Sequence, residues 1–406
     1  MVGGTEMFFK DINIFSSGGE SNFRIPSLIV TNNGTAIAFC TNRVGTLNDH
    51  ADEIALVCAI KKPGEDWSAV RTLAHMPGWN CNIGSAVYDS NADRVIVFFV
   101  RKPVARNEFG KYTAEELAEM ERRAEEAKKQ AAEQGITAGY RMLISDDNGE
   151  TFTEMAQKLE PVLQKHWDGT EHLVDGFTHG AAHGICLRHG EHAGRLLCPS
   201  RTQIGEYTDW TKIRECVYNN AVYSDDHGMT WKTANCVQVG TGEGTLIERG
   251  DGSILYNSRA YFRDGKRYLA VSRDGGATYG EFSTDEFLLE ETRIGCNASF
   301  LRVELQDIKE PQLLPEGAKD LVIFCNPRSE IRNRMTACVS FDSGEHYCEA
   351  RVIFEGPAAY SSLDYDKTTG RFYLLYEKGN EKDGDNPYAE GLSIAEFDLE
   401  WLLQGI

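Results

Sequence analysis

The chain has 406 residues, of which 41% are apolar and 26% charged, and its formal net charge is −20. That is enough apolar material for a large buried core, while the acidic balance disfavours a protein that wraps nucleic acid, since such proteins carry a basic face. A small anionic ligand is not excluded, because salt screens bulk charge beyond about 8 Å and a few desolvated arginines would dominate a pocket locally. Eleven cysteines run from Cys40 to Cys348 without a CxxC pair, several of them inside apolar runs such as Ala55-Leu56-Val57-Cys58. This pattern favours buried free thiols over a disulfide framework or a zinc site. Met1 to Glu20 shows no basic segment followed by an apolar one, and no apolar run nears membrane-spanning length. The expectation is a cytoplasmic chain with no membrane partner.

In chain order, Lys62-Pro63-Gly64-Glu65-Asp66-Trp67 is the first turn of interest and reads as a decayed copy of a motif that follows intact. Next, Thr113 to Gln134 is rich in Ala, Glu and Lys, opens on the capping box Thr113-x-x-Glu116 and stops before Gly135, which predicts a helix. Leu117 and Met120 are its large apolar residues, so it should lie on the surface within an insertion of about 106–138, as decoration or as a rim element. The intact motif then appears as Ser145 to Phe152, Ser224 to Trp231 and Ser272 to Tyr279, with a fourth copy, Ser340 to Tyr347, carrying His346 where the others carry Thr. Its Asp can accept backbone N–H bonds, its Gly supplies a positive φ, and its final aromatic can pack into a sheet. Each copy follows a short β-like run such as Ala221-Val222-Tyr223, as expected of stacked supersecondary units.

These repeated turns resemble the Asp boxes of the sialidase superfamily, and Phe23-Arg24-Ile25-Pro26 looks like its FRIP motif. The resemblance runs from Phe23 to Glu377 and implies one all-β domain over 1–406: a six-bladed β-propeller with its active site at one end of the central axis. It implies that Arg24, Arg259 and Arg332 bind the substrate's carboxylate, with Arg43 as an accessory arginine. In Asn48-Asp49-His50-Ala51-Asp52 it selects Asp49 as acid/base, with Asp52 as competitor. Gly242-Glu243-Gly244 is similar to the segment carrying the catalytic Glu, so Glu243 takes that role, and Glu248 is the alternative, read as a strand-end surface acid. Arg332 is preferred to Arg328 and Arg334 because it precedes the Asp-box Ser340 by the family's spacing. Ala359-Tyr360-Ser361-Ser362 resembles the nucleophile strand, which assigns Tyr360, and Tyr376-Glu377 the segment whose Glu buttresses the first arginine.

The chemistry is coherent with these residue types. A sialic acid bears a carboxylate on its anomeric carbon, which guanidinium groups bind bidentately while staying charged. A carboxylate nucleophile would meet that charge at short range, whereas a neutral phenol does not, and sialidases are an exception to the two-carboxylate scheme for this reason. Glu243 would take the phenol proton, and Asp49 would protonate the leaving group and later deprotonate water. The expected function is a retaining exo-α-sialidase acting on sialylated glycoconjugates, with no cofactor and no metal. Alternatives are a glycosidase for another 2-keto-3-deoxy acidic sugar or a trans-sialidase, and a non-catalytic glycan- or protein-binding propeller. His179 and His183, in Thr178-His179-Gly180-Ala181-Ala182-His183-Gly184-Ile185, are read as structural or rim histidines.

Overall fold

The computed structural model describes residues 7–47, 49, 51, 53–103, 113–178, 182–205, 210–380 and 386–406. Its fold is predominantly β and is built from antiparallel four-stranded meanders. One of them, Thr241–Glu248, Ile254–Ala260, Arg267–Ser272 and Gly280–Asp285, stands as its own sheet. Elsewhere the sheets join: the 19-residue strand Cys348–Asp366 pairs with Asn333–Ser340 along its first half and with Arg371–Lys378 along its second. The N-terminal strand Phe9–Ser16 pairs with the late strand Gly391–Phe397, tying the two ends of the described chain into one sheet.

The first strands of the meanders lie against one another. Ser21–Val30 meets Trp79–Asp89 on one side and Cys348–Asp366 on the other, and Thr241–Glu248 meets Ser299–Glu304. Small polar side chains stitch these inner strands together. Ser27 Oγ donates to Ala182 O at 2.6 Å and accepts from Ala86 N at 2.9 Å, Leu28 N donates to Ser362 Oγ at 2.9 Å, and Ser299 Oγ meets Ser361 Oγ at 2.6 Å. Apolar residues fill the spaces between sheets, as in the cluster of Ile25, Phe39, Ile83, Val97 and Tyr360. This division, polar at the inner strands and apolar between layers, lets charged groups collect at the centre without displacing the core.

All four intact turns are hydrogen-bonded alike. In the first, Ser145 Oγ bonds Asp147 Oδ1 at 2.7 Å and accepts from Gly149 N at 2.8 Å, while Thr151 donates its N–H and hydroxyl to Asp147 at 2.9 and 2.6 Å. The turn glycine sits at a φ of +86°, where an L side chain would be strained. The closing aromatics Phe152, Trp231, Tyr279 and Tyr347 pack into the cores between sheets. The expected fifth copy keeps the turn and the packing of Trp67 but not the Ser–Asp bonds; Glu65 N donates to Lys62 O at 3.0 Å instead.

In the fourth turn His346 takes the place of Thr, and its Nδ1 lies 2.7 Å from Asp342 Oδ2. Burial alone would raise the Asp342 carboxyl, but the bonds from His346 and Ser340 outweigh it and bring it down to about 2. The same bond and charge hold the exposed His346 above its ordinary value. The pair therefore stabilises the fold fully below the unfolded histidine value near 6.5 and loses that contribution as pH rises through the folded value; at the acid end the loss comes as pH falls from about 4 toward 2. Histidine NMR titration is expected to place His346 above about 6.5 in the native protein and to return it there in Asp342→Asn. Equal values in the two proteins would show the pair to be inert.

The helix spans Ala114–Glu133, with Thr113 at its N-cap and the full capping box formed. Its buried residues are Ala124, Ala127 and Ala131, the last two packed with Met76 and Trp79, so small side chains rather than the half-buried Leu117 and Met120 are its most buried ones. The preceding residues of the expected insertion, 106–112, lie outside the described residues. The cysteines are all free and most are buried. Among the described residues no helix is long and apolar enough to cross a membrane.

Candidate active site

Three β-bulges on inner strands deliver three of the expected site residues. The register of Ser21–Val30 slips between Arg24 and Ser27, that of Thr241–Glu248 between Thr241 and Gly244, and that of Cys348–Asp366 between Ala358 and Ser361. A bulge inserts a residue and re-aims its side chain; here the re-aimed residues are Arg24, Glu243 and Tyr360. The first carries strain, since Ile25, a β-branched residue, is held at a φ of +63°. Around Glu243 the glycines are required by close approach: a Cβ on Gly244 would fall 2.2 Å from the Tyr256 ring, and one on Gly242 2.2 Å from the Tyr261 hydroxyl.

Tyr360 is at the centre, 5% exposed. Its hydroxyl donates to Glu243 Oε2 at 2.5 Å and accepts from Arg259 Nη1 at 2.5 Å, and Arg259 also bonds the same Glu243 oxygen. Burial, reinforced by the Glu243 charge, pushes the phenol well above 10 against the pull of Arg259 and Arg332. Arg332 lies 5.2 Å from the Tyr360 ring centre and donates from Nη2 to Gly295 O at 2.9 Å. Its rivals face away: Arg328 and Arg334 both pair with Glu349, at 3.0 and 2.8 Å.

Glu377, fully buried, accepts from Arg24 Nε and Nη2 at 2.8 and 3.1 Å, and also from the backbone N–H groups of Ile25 and Tyr360 at 3.0 and 3.1 Å. Burial alone would pull the Arg24 guanidinium down, but Glu377, Tyr388 and Asp49 together hold it above its ordinary value. Asp49, with its side chain 61% exposed, sits at the rim, 2.9 Å from Arg43 Nη2 and 3.4 Å from Arg24 Nη1. Arg43 is itself buried and anchored on Leu47 O at 2.7 Å. The structure thus brings together Arg24, Arg43, Asp49, Glu243, Arg259, Arg332, Tyr360 and Glu377. Asp52 and His179 lie outside the described residues.

Each of the three central arginines faces a carboxylate of its own: Arg24 has Glu377, Arg259 has Glu243, and Arg332 has Glu291 at 3.5 Å. Buried cations of one sign this close would be costly without such pairing. Among the described residues no group of three or more His, Cys, Asp or Glu is arranged to hold a metal ion.

A profile described as BNR repeat-like domain matches residues 34–374. The chain belongs to the BNR repeat-like domain family. The resemblance to the sialidase superfamily is borne out with it. The chain is 35% identical over 221 residues to a sialidase of Micromonospora viridifaciens, a match covering 54% of this chain and 30% of that protein. It therefore spans well under two thirds of that relative's length. Among solved structures, the Hadza microbial sialidase Hz136 superposes with a TM-score of 0.69 at 20% identity, covering 94% of this chain and 66% of that one. The intramolecular trans-sialidase from Ruminococcus gnavus gives 0.67 at 17% identity, with 97% and 98% covered. At these identities the structural likeness speaks for the fold, which is propeller-like.

One expectation about this BNR repeat-like chain is corrected, and one is met on its structural side. Glu248 is no surface acid: it is buried and accepts from the backbone N–H groups of Arg188 and His189 at 2.6 and 2.9 Å, a capping role away from Tyr360. His183 is buried with its ring nitrogens on Gly184 O and Leu363 O at 2.9 and 2.8 Å, a structural position between inner strands. Two residues in the site were not anticipated. Glu291 follows Glu290 in an apolar context, and two adjacent acids there were a usable signal of buried pairing; Glu290 holds Arg267. Tyr388, beside Arg24 and Arg332, stands in a polar loop whose sequence carries no distinguishing pattern.

Proposed function

We propose that this chain is a retaining exo-α-sialidase acting on sialylated glycoconjugates, its meanders forming six blades of a single propeller with Tyr360 at the mouth. The observation that carries the reading is the Tyr360–Glu243 hydrogen bond of 2.5 Å inside a ring of three carboxylate-paired arginines. A phenol held well above 10 is no nucleophile by itself, so it must lose its proton as it attacks, and the only acceptor on it is Glu243 among the described contacts. Arg24, Arg259 and Arg332 fix the substrate carboxylate, and with it the anomeric carbon, over the Tyr360 oxygen. The glycosidic bond breaks as the Tyr–C2 bond forms, and the leaving oxygen takes its proton from Asp49 at the rim, where an aglycone can be reached. In the second step Asp49 removes a proton from water, which attacks C2, and the phenolate recovers its proton from Glu243; two displacements give retention.

The test is a parallel assay of fluorogenic α-glycosides of N-acetylneuraminic acid, deaminated neuraminic acid and the eight-carbon ulosonic acid, with proton NMR of the first product. The expected result is turnover of the N-acetylneuraminic acid glycoside with the α-anomer released first. Cleavage of the eight-carbon glycoside alone would remove the sialidase reading and keep the mechanism; initial β-anomer would remove the retaining mechanism. Added lactose as acceptor separates hydrolysis from transfer.

A further inference from the structure

The geometry points to Tyr388 as a positioning residue of the arginine clamp, locking Arg24 and Arg332 into one fixed unit for an anomeric carboxylate; this rests on the sialidase reading above. Its ring centre lies 3.6 Å from the Arg24 guanidinium carbon, a close stack, and its hydroxyl accepts from Arg332 Nη1. With these contacts each arginine is held on several sides. Arg24 has Glu377 along its Nε and Nη2 edge and Tyr388 over its face, so its Nη1 end, toward Asp49, is what remains to meet a ligand. Arg332 has Glu291 near Nε, Gly295 O on Nη2 and the Tyr388 hydroxyl on Nη1. An arginine carries much rotamer freedom, and fixing two of them before the ligand arrives removes that entropy from the binding step.

The turn bearing Tyr388 is itself anchored, which marks the residue as part of the clamp's frame. Tyr388 N donates to Asn386 Oδ1 at 3.1 Å, Gly391 N to Tyr388 O at 3.1 Å, and Glu390 N to Lys378 O at 3.0 Å. Asn13 Nδ2, from the N-terminal strand, holds Glu390 O at 2.7 Å. The turn also presses on Gly379, where a Cβ would stand 2.1 Å from Asn386 O. Tyr388 touches the two arginines and, in its packing, the cluster containing Tyr360, whereas the Tyr360 hydroxyl is bonded to Glu243 and Arg259. Its effect should therefore fall on carboxylate binding and spare the chemical step.

The experiment compares Tyr388→Phe and Tyr388→Ala with the native chain, measuring kcat and KM on a fluorogenic α-sialoside and, by calorimetry, the affinity for the unsaturated inhibitor 2-deoxy-2,3-dehydro-N-acetylneuraminic acid. Tyr388→Phe keeps the stack and loses one hydrogen bond to a charged donor, so KM and inhibitor Kd should rise about 3- to 10-fold. Tyr388→Ala loses both contacts and should raise them about 30-fold or more, with kcat within about 2-fold in each. Unchanged KM and Kd in both variants would overturn the inference alone, as would lower values, which would show the phenol competing with the carboxylate. A fall in kcat at constant KM would overturn it too, by placing Tyr388 in the chemical step. A native chain that neither cleaves the sialoside nor binds the inhibitor would overturn the functional reading and this inference with it.

Discussion

Replacing Tyr360 by Phe is expected to lower kcat by at least about 100-fold while leaving a folded protein, because the substitution removes the attacking oxygen and little else. The hydroxyl has two partners, Glu243 and Arg259, and these remain bonded directly to each other when it is gone. No buried charge is orphaned, so the stability cost is that of one buried hydroxyl, about 1–2 kcal/mol. The melting temperature should move by no more than a few degrees. Burial and Glu243 keep the phenol neutral well past pH 10, so the native rate profile should show no rise as free tyrosine would ionise. Steady-state kinetics with circular dichroism on the purified variant decides the matter: a variant that keeps most of its activity would mean that another group attacks, or that water attacks directly with Glu243 as base.

Much of this arrangement was legible in the sequence because it depends on local motifs. The Ser–Asp–Gly–Thr turns bond within seven residues, so their spacing alone specifies them, and the Thr113–Glu116 capping box is equally local. The site residues were legible only through resemblance, since Arg24 and Glu377 meet across 353 positions and nothing in either neighbourhood encodes the other. The bulges at Arg24, Glu243 and Tyr360 are tertiary: a one-residue slip leaves no compositional trace, although Gly242 and Gly244 hint at the second. Tyr388 shows the limit most clearly. It reaches the clamp because its turn is pinned to Gly379, Lys378 and Asn13, contacts that no periodicity or propensity contains. Glu248 was misjudged for a related reason, as a strand-end acid is exposed unless a neighbouring loop, here Arg188–His189, folds over it.

The largest combined loss of stability and activity is expected from Glu377→Ala. Four donors converge on this one carboxylate, which holds the Arg24 side chain, the left-handed Ile25 backbone and the Tyr360 backbone at once. Its removal leaves Arg24 charged and buried without its closest carboxylate, beside the exposed Asp49 and the rings of Tyr388 and Tyr360, and breaking a buried pair in this way costs about 3–5 kcal/mol. The strained Ile25 then loses the acceptor of its N–H and keeps only its apolar packing and the Thr41 bond to Arg24 O beside it among the described residues, so the bulge should relax and shift Arg24 in the pocket. Thermal denaturation should show a fall of several degrees or more, and kcat/KM on a sialoside should drop by at least about 100-fold. Glu377→Gln keeps the shape but offers one acceptor oxygen and sets an NH2 against N–H donors, so it should fall between the two. Asp49→Asn is the matched control: with its side chain 61% exposed, it should lose activity on poor leaving groups at an unchanged melting temperature. If Glu377→Ala melts with the native protein and keeps its KM, the buried carboxylate does not organise the clamp, and the cost of assembling three arginines around Tyr360 must be met by other carboxylates, Glu243, Glu291 and Asp49 among them.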